Sequence, residues 1–395
     1  MSPSTAGVCM VTGSYAPEIS GGGLQCRTLV AALGGDPACF ILTTTTQAGL
    51  PARDRGDFGE EIWRIFVHPE SAWSKLKASL RLIQKFWANQ ERFQIVQLHG
   101  ISQKNWLLIL LAKLLGKKVV WKMTSSGQDD PATLHRERVP AAAWLLRRAD
   151  AIVSISPSLT RSYQKSELPS QKLLEVPNGV NGNRFRPPQN AEEKLAQKQA
   201  LGLRPDIPWI ICVGFFSADK APDTAAAAWA QARTRWGRPI GLVFIGSRFG
   251  SYHEIDPKVV RQVDRQVAPW GKEVHFVEQT SVINQWFQGA DIFLSTSRRE
   301  GLPNALLEAM ASGLPCVAAR LEGVTDAIIS DGKNGILVPP DDIDGFAEEI
   351  LRLLADEELR RRMGESARRT ALERFSIEEV AARYRALYAR LQGES

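Results

Sequence analysis

What most limits the fold of this chain is an alternation of short apolar runs with longer stretches of helical period. In the first half the runs are Val8–Thr12, Ala38–Thr43, Ile62–Val67, Ile95–Leu98, Val119–Lys122, Ala151–Ser154 and Leu173–Val176. The second half repeats the theme with Trp209–Val213, Ile240–Ile245, Val274–Phe276, Ile292–Leu294, Cys316–Ala318 and Gly335–Val338. Runs this short and apolar suit strands buried on both faces, and the helical stretches between them suit crossover connections. The pattern predicts an α/β fold of parallel βαβ units with helices on both faces of each sheet. At 395 residues the chain exceeds the size at which one core stops growing, so two doubly wound domains are expected. A ligand belongs where the carboxyl ends of their strands face each other.

Composition narrows the function classes. No apolar run reaches the roughly 18 residues of a membrane-spanning helix; the longest candidate, Trp106–Leu115, is broken by Lys113. The N-terminus, MSPSTAGVCMVTGSY, lacks the basic start and apolar core of a signal peptide. Cys9, Cys26, Cys39, Cys212 and Cys316 show neither metal-ligand spacing nor a CxxC pair. A reducing, cytoplasmic setting without a bound metal is the expectation. The net charge of +6 is uneven, with 23 Lys+Arg against 14 Asp+Glu in residues 1–187. Such a surface suits an anionic glycan or lipid partner; it also suits nucleic acid, but no recognition motif supports that.

The stretch with most chemistry is Ser297–Gly313, SRREGLPNALLEAMASG. It places Glu300 and Glu308 eight residues apart around a helix start. Gly301 allows a tight turn, Leu302 follows, and Pro303 carries the fixed φ of a first helical turn. From about Asn304 the pattern is helical, and Gly313 ends it. Backbone N–H groups at such a start seat a phosphate. Glu308, a little over one turn in, is placed to reach a ribose, and Glu300 a sugar beside the phosphate.

Other loops follow strands in the same way. Tyr15–Gly23, YAPEISGGG, sits between the first strand and a helix beginning near Leu24, and Gly22 and Gly23 let backbone approach a bound group. No G-x-G-x-x-G is present, which argues against a nicotinamide enzyme. His99 closes the strand in IVQLHG, and Asp129, Asp130, His135 and Arg136 follow in a later loop. In ICVGFFSADK, Lys220 leads from a glycine turn into a helix and can neutralise a leaving pyrophosphate. Residues 71–93 carry Trp73, Leu76, Leu80, Ile83 and Trp87 at helical spacing, with Lys75, Lys77, Arg81, Lys85 and Arg92 nearby. The preferred reading buries that stripe in the domain. The alternative lays a basic amphipathic helix on an anionic membrane.

With its flanks, SRREGLPNALLEAMASGLPCVAA resembles the E-x7-E signature of retaining glycosyltransferases of family four, which have the GT-B fold. The PEISGG turn resembles the family's N-terminal glycine loop, which approaches the donor diphosphate and the acceptor. PNGVNGNRF, residues 177–185, resembles its inter-domain P-N-G-V-D-x-x-x-F, with Asn181 in place of Asp. His99 resembles the family histidine that contacts the donor sugar. Many relatives carry Arg after V-G and Gly after the Lys, where this chain has Phe215 and Ala221; Arg248, Arg298 and Arg299 are candidate replacements for that cation.

The resemblance implies two Rossmann-like domains facing a central cleft. Residues 1–187, with a terminal helix at 375–395 crossing back, would form the acceptor-side domain, and 188–374 the nucleotide-sugar domain. The implied reaction moves a hexosyl unit from a UDP- or GDP-sugar to an acceptor hydroxyl with retained configuration and no metal. Glu300, Lys220 and His99 would be catalytic. Gly22, Gly23, Lys220, Arg248, Glu300, Gly301, Leu302, Pro303, Asn304 and Glu308 would bind the donor. A glycan or lipid-linked acceptor is expected, with work at the inner face of the cell membrane. Competing readings are a sugar-nucleotide epimerase of the same architecture and a non-catalytic nucleotide-binding protein.

Overall fold

The computed structural model describes residues 7–18, 20–68, 70–100, 103–127, 130–136, 144, 146–166, 168–249 and 255–393; the side chains of 103–105, 135 and 136 lie outside the description. The chain divides into two compact units, Met1–Gly179 with Ile377–Ser395, and Val180–Ser376. The boundary therefore falls at 179/180 rather than at 187/188, and the returning segment starts at Ile377 rather than 375. Asn181 explains the early start. Its Oδ1 accepts from the Asn183 and Arg184 backbone N–H groups, folding PNGVNGNRF into a turn that belongs to the second unit.

Unit 1 holds β1 (Gly7–Thr12), β2 (Cys39–Thr45), β3 (Arg53–Arg55), β4 (Glu61–Phe66), β5 (Phe93–His99), β6 (Lys118–Lys122), β7 (Ala151–Ser154) and β8 (Leu173–Glu175). Their order is β3-β4-β2-β1-β5-β6-β7-β8, parallel except for the β3–β4 pair. Every run read above as a strand becomes one. β3, written RDR and largely exposed, has no apolar signal and was not expected. Unit 2 holds β9 (Trp209–Val213), β10 (Gly241–Ile245), β11 (Val274–Val277), β12 (Ile292–Ser295), β13 (Cys316–Ala319) and β14 (Ile336–Val338), ordered β11-β10-β9-β12-β13-β14 and all parallel. In both sheets the winding reverses beside the first strand, so the crevice of unit 2 opens at the carboxyl ends of β9 and β12.

Helices cover the sheets for readable reasons. In unit 1, α1 (Gly21–Leu33) packs against the terminal helix Ile377–Gln392, which buries Val380, Ala381, Tyr384, Leu387 and Tyr388. Tyr388 Oη donates to Gln97 Oε1 at 2.6 Å, so that helix is fixed to β5 by a buried polar contact as well as by area. In unit 2, the helix Pro222–Trp236 begins with proline and buries Ala225, Ala226, Ala228 and Ala232 around Trp229. Its small residues let one large ring sit against the sheet.

One expectation fails. In α2 (Ala72–Ala88) the domain buries Ala78, Leu82 and Phe86, while Trp73 is 73% exposed, Leu80 59%, Trp87 54% and Leu76 52%. Two apolar faces share this helix. The buried one, spaced 78, 82, 86, lies opposite the stripe that periodicity picks out.

Candidate active site

The site is built from the two loops at the switch point of unit 2. β9 runs into Gly214, and the chain turns through Phe215–Ala221 before the helix at Pro222. Beside it, a Cβ on Gly246 would fall 2.0 Å from the Gly214 carbonyl oxygen, so only glycine lets these backbones approach. After β12, the 296–300 loop grips the first one. Thr296 Oγ1 donates to the Ala221 carbonyl at 2.8 Å, the Arg298 N–H to the Asp219 carbonyl at 2.7 Å, and Arg298 Nη1 to the Ala218 carbonyl at 2.8 Å. A narrow pocket between them is lined by Gly214, Phe215, Lys220, Ser295, Thr296 and Ser297.

Two predicted residues meet here. Lys220 Nζ donates to Glu300 Oε1 at 2.6 Å, and Ser297 Oγ donates to the same oxygen at 2.9 Å. The Glu300 side chain is 11% exposed and that of Lys220 30%, so the pair sits at the mouth of a desolvated crevice. Its strength there exceeds that of an exposed pair. Glu300 Oε2 is left to other donors.

Gly301, Leu302 and Pro303 are buried, and the following helix covers Asn304–Ala311. Pro303 is its N-cap at φ −72°, ψ 105°, one position ahead of the first turn expected for it, and no side chain caps the start. Glu308 is partly accessible, yet burial pushes its carboxyl up to about 7, with Arg184 pulling the other way. Low dielectric penalises the charged form, so Glu308 is poised between states near neutrality.

The candidate replacement cations are already engaged. The Arg248 guanidinium lies 3.9 Å from the Phe276 ring centroid, and its Nη1 is 3.3 Å from Asp264 Oδ1. Arg298 pairs with Asp341 at 2.7 Å, and Arg299 with Asp219. None of the three joins Lys220 in the pocket lining. Sequence reasoning missed Thr296, Ser297 and Asp219, which hold the loops; a hydroxyl or a carboxylate in a loop carries no pattern of its own.

In unit 1 the predicted residues sit differently. α1 begins at Gly21, not near Leu24, so Gly22 and Gly23 lie in its first turn. The Gly23 N–H donates to the Ser20 cap at 3.0 Å, and a Cβ there would meet the Ser14 carbonyl at 2.4 Å. Packing alone demands that glycine, whereas Gly22 faces open space. Glu18 is 95% buried: Oε1 accepts from the Thr46 N–H at 3.1 Å, and Oε2 has no partner among the described residues.

His99 is 6% exposed, with Nε2 3.1 Å from Gln97 Nε2 and Nδ1 without a partner among the described residues. Burial and the neighbouring Lys122 hold its pKa well below the ordinary value, so the ring is neutral. Asp130 accepts from Gly127, Thr133 and Ser162 and is a local organiser. Asp129 and the side chains of His135 and Arg136 lie outside the described residues.

Two parallel doubly wound sheets of this kind, with the terminal helix returned to the first, define the GT-B class of glycosyltransferases. Residues 207–356 match the family model "Glycosyl transferases group 1", and residues 20–179 match "Glycosyl transferase 4-like domain". The chain belongs to this family of glycosyltransferases, family four. It is 24% identical over 307 residues to N-acetyl-alpha-D-glucosaminyl L-malate synthase of Bacillus anthracis, covering 76% of each chain. It is 26% identical to the lipopolysaccharide core biosynthesis mannosyltransferase LpsB of Rhizobium meliloti, covering 72% of this chain and 76% of that one. Among solved structures, sucrose-phosphate synthase from Thermosynechococcus elongatus superposes with TM-score 0.82 at 21% identity, over 99% of this chain and 100% of that one. Anabaena Alr3699/HepE in complex with UDP and glucose gives 0.78 at 17%, over 97% and 99%.

Proposed function

We propose that this glycosyltransferase moves a hexosyl unit from a UDP- or GDP-sugar to an acceptor hydroxyl, retaining the anomeric configuration and using no metal. The observation that carries the reading is the Lys220–Glu300 pair at the switch point, with Glu300 eight residues ahead of Glu308. Glu300 holds donor sugar hydroxyls through its remaining lone pairs, and Glu308 takes the ribose. Lys220 and the helix start at 304 stabilise the charge that grows on the departing diphosphate. In the transfer, the bond from C1 to the phosphate oxygen breaks as the acceptor oxygen bonds C1 on the same face. The acceptor proton passes to the phosphate oxygen that leaves. His99 is a further contact for the transferred sugar.

The LpsB and malate-synthase relatives support an acceptor in glycan assembly or a small hydroxylated acid. We favour a glycan or lipid-linked precursor, handled in the cytoplasm at the inner face of the membrane. Thermal unfolding with UDP, GDP and ADP and their hexose conjugates, in EDTA, tests the donor. A ligand at 100 times its dissociation constant adds about 2.7 kcal/mol of stability. A shift for UDP or GDP, lost in Glu308→Ala, supports the reading. No shift for any nucleotide overturns it, and donor turnover without an acceptor would favour the epimerase.

A further inference from the structure

The largest unassigned feature of the molecule is the apolar face that α2 leaves open. α3 (Gln103–Leu114) packs beside α2 and carries an exposed apolar row of its own, with Leu114 76% exposed, Leu107 50% and Leu110 37%. Together with Trp73, Leu76, Leu80 and Trp87, most of the large exposed apolar side chains of unit 1 fall on these two neighbouring helices. A monomer rarely leaves so much apolar surface in one place without a partner.

The charges around it identify that partner. Neither helix contains an Asp or a Glu. Lys75, Lys77 and Arg81 are exposed, and none has an ion-pair partner among the described residues. The other α2 cation, Lys85, is turned back over the Trp63 ring at 4.0 Å, and Lys113 of α3 is paired with Asp150. So the cations on the domain side are satisfied internally, and those beside the open apolar face are not. A second copy of this chain would bring like charges opposite one another across a two-fold interface. Tryptophans and leucines fringed by unpaired cations instead fit the headgroup layer of an anionic bilayer. No helix among the described residues is long and apolar enough to cross a membrane, so the contact is with one leaflet.

We propose that the α2–α3 face docks unit 1 on an anionic lipid bilayer, with its Trp and Leu side chains entering the interface and Lys75, Lys77 and Arg81 meeting headgroup phosphates. This deepens the lipid-linked reading of the acceptor and rests on it for its purpose, but not on the donor chemistry. Each cation is worth about fivefold in partitioning, so removing three lowers binding roughly a hundredfold.

The test is flotation of the full chain with phosphatidylcholine vesicles, with and without phosphatidylglycerol. Three forms are compared: wild type, K75Q/K77Q/R81Q, and L76S/L80S/L110S. The wild type should float only with the anionic vesicles and release in salt. The charge variant should lose about a hundredfold, and the apolar variant should also fall away. All these side chains are exposed, so unfolding temperature and the nucleotide-induced shift should stay as in wild type; that shift reports on the donor site separately. No flotation of the wild type, or flotation that both variants keep, overturns the proposal. So does a concentration-dependent dimer, seen in sedimentation, that the apolar variant abolishes.

Discussion

The first βα turn of each unit occupies the same place in the same topology, yet the two are built from different physics. In unit 1 the turn after β1 is closed by Ser20, which takes the Gly23 N–H, and is anchored below by the buried Glu18. It carries no cation, and its tightest glycine is explained by the Ser14 backbone. In unit 2 the turn after β9 has no side-chain cap, carries Lys220, and is gripped by the loop that supplies Glu300. One turn spends its donors on itself, while the other keeps a cation and a carboxylate side by side at the crevice. Under the transfer proposed above, this difference is the reason to look for the phosphate seat in unit 2.

The sharpest way to break that contrast is to remove its cation. Lys220→Ala should lower transfer by about 10²–10³, the range seen when one preorganised stabiliser of developing charge is lost. Glu300 would then stand in the crevice with Ser297 but without its cation, so K220A should bind donor weakly as well as turn it over slowly. Steady-state kinetics on the two substrates separate these effects. Unchanged turnover would move the phosphate seat elsewhere, with Arg248 the first alternative once freed from Phe276 and Asp264.

The next effect is on stability and comes from Glu308. Its pKa is raised from 4.5 to about 7 by burial. Between those values the folded state binds more protons than the unfolded one, so stability falls as pH rises through that window and levels off above about 7. The shift corresponds to about 3 kcal/mol. Chemical denaturation at pH 5 and pH 8 should show the loss in wild type, and E308Q should flatten it. Ribose hydroxyls prefer the carboxylate, so nucleotide affinity should strengthen over the same window in wild type and not in E308Q.

How far these features were legible depends on how local their cause is. The strands were readable because buried parallel strands are continuous apolar runs, and only β3, a polar edge segment paired to β4, escaped. That Lys220 and Glu300 lie in neighbouring loops was readable because each follows an apolar strand run, and the structure pairs them. The loops' mutual grip through Thr296 and Arg298 was not, since it joins residues about 75 apart through backbone carbonyls that any sequence provides. The α2 stripe was misassigned for a related reason. Period alone finds two apolar faces there, and only packing decides which is buried. Gly23 was read as a ligand glycine because the clash that requires it involves a backbone oxygen nine residues earlier.

Gly22 and Gly23 test that last point directly. G23A forces a Cβ against the Ser14 carbonyl and should destabilise the chain by about 1–3 kcal/mol, read from the denaturation midpoint. G22A meets open space and should leave stability within about 0.5 kcal/mol. If G22A nevertheless lowers transfer while the fold is intact, the loop does approach a substrate, and the contrast between the two turns softens.

The smallest effect lies in the turn of unit 2. Ala221 sits at φ 48°, ψ 47°, in the left-handed region where a β-carbon crowds the backbone by about 1–2 kcal/mol. Its carbonyl is held there by Thr296 Oγ1, so the strain is imposed by the site and not by the helix that follows. Glycine adopts this conformation freely but loses more chain entropy on folding, and the two effects partly cancel. A221G should therefore stabilise by about 0.5–1 kcal/mol, a rise of roughly 1–4 °C for a unit of this size. T296V removes the clamp and should erase that gain, because the turn can then relax around alanine. A gain that persists in the T296V background would place the strain in the helix start and detach it from the Lys220–Glu300 geometry.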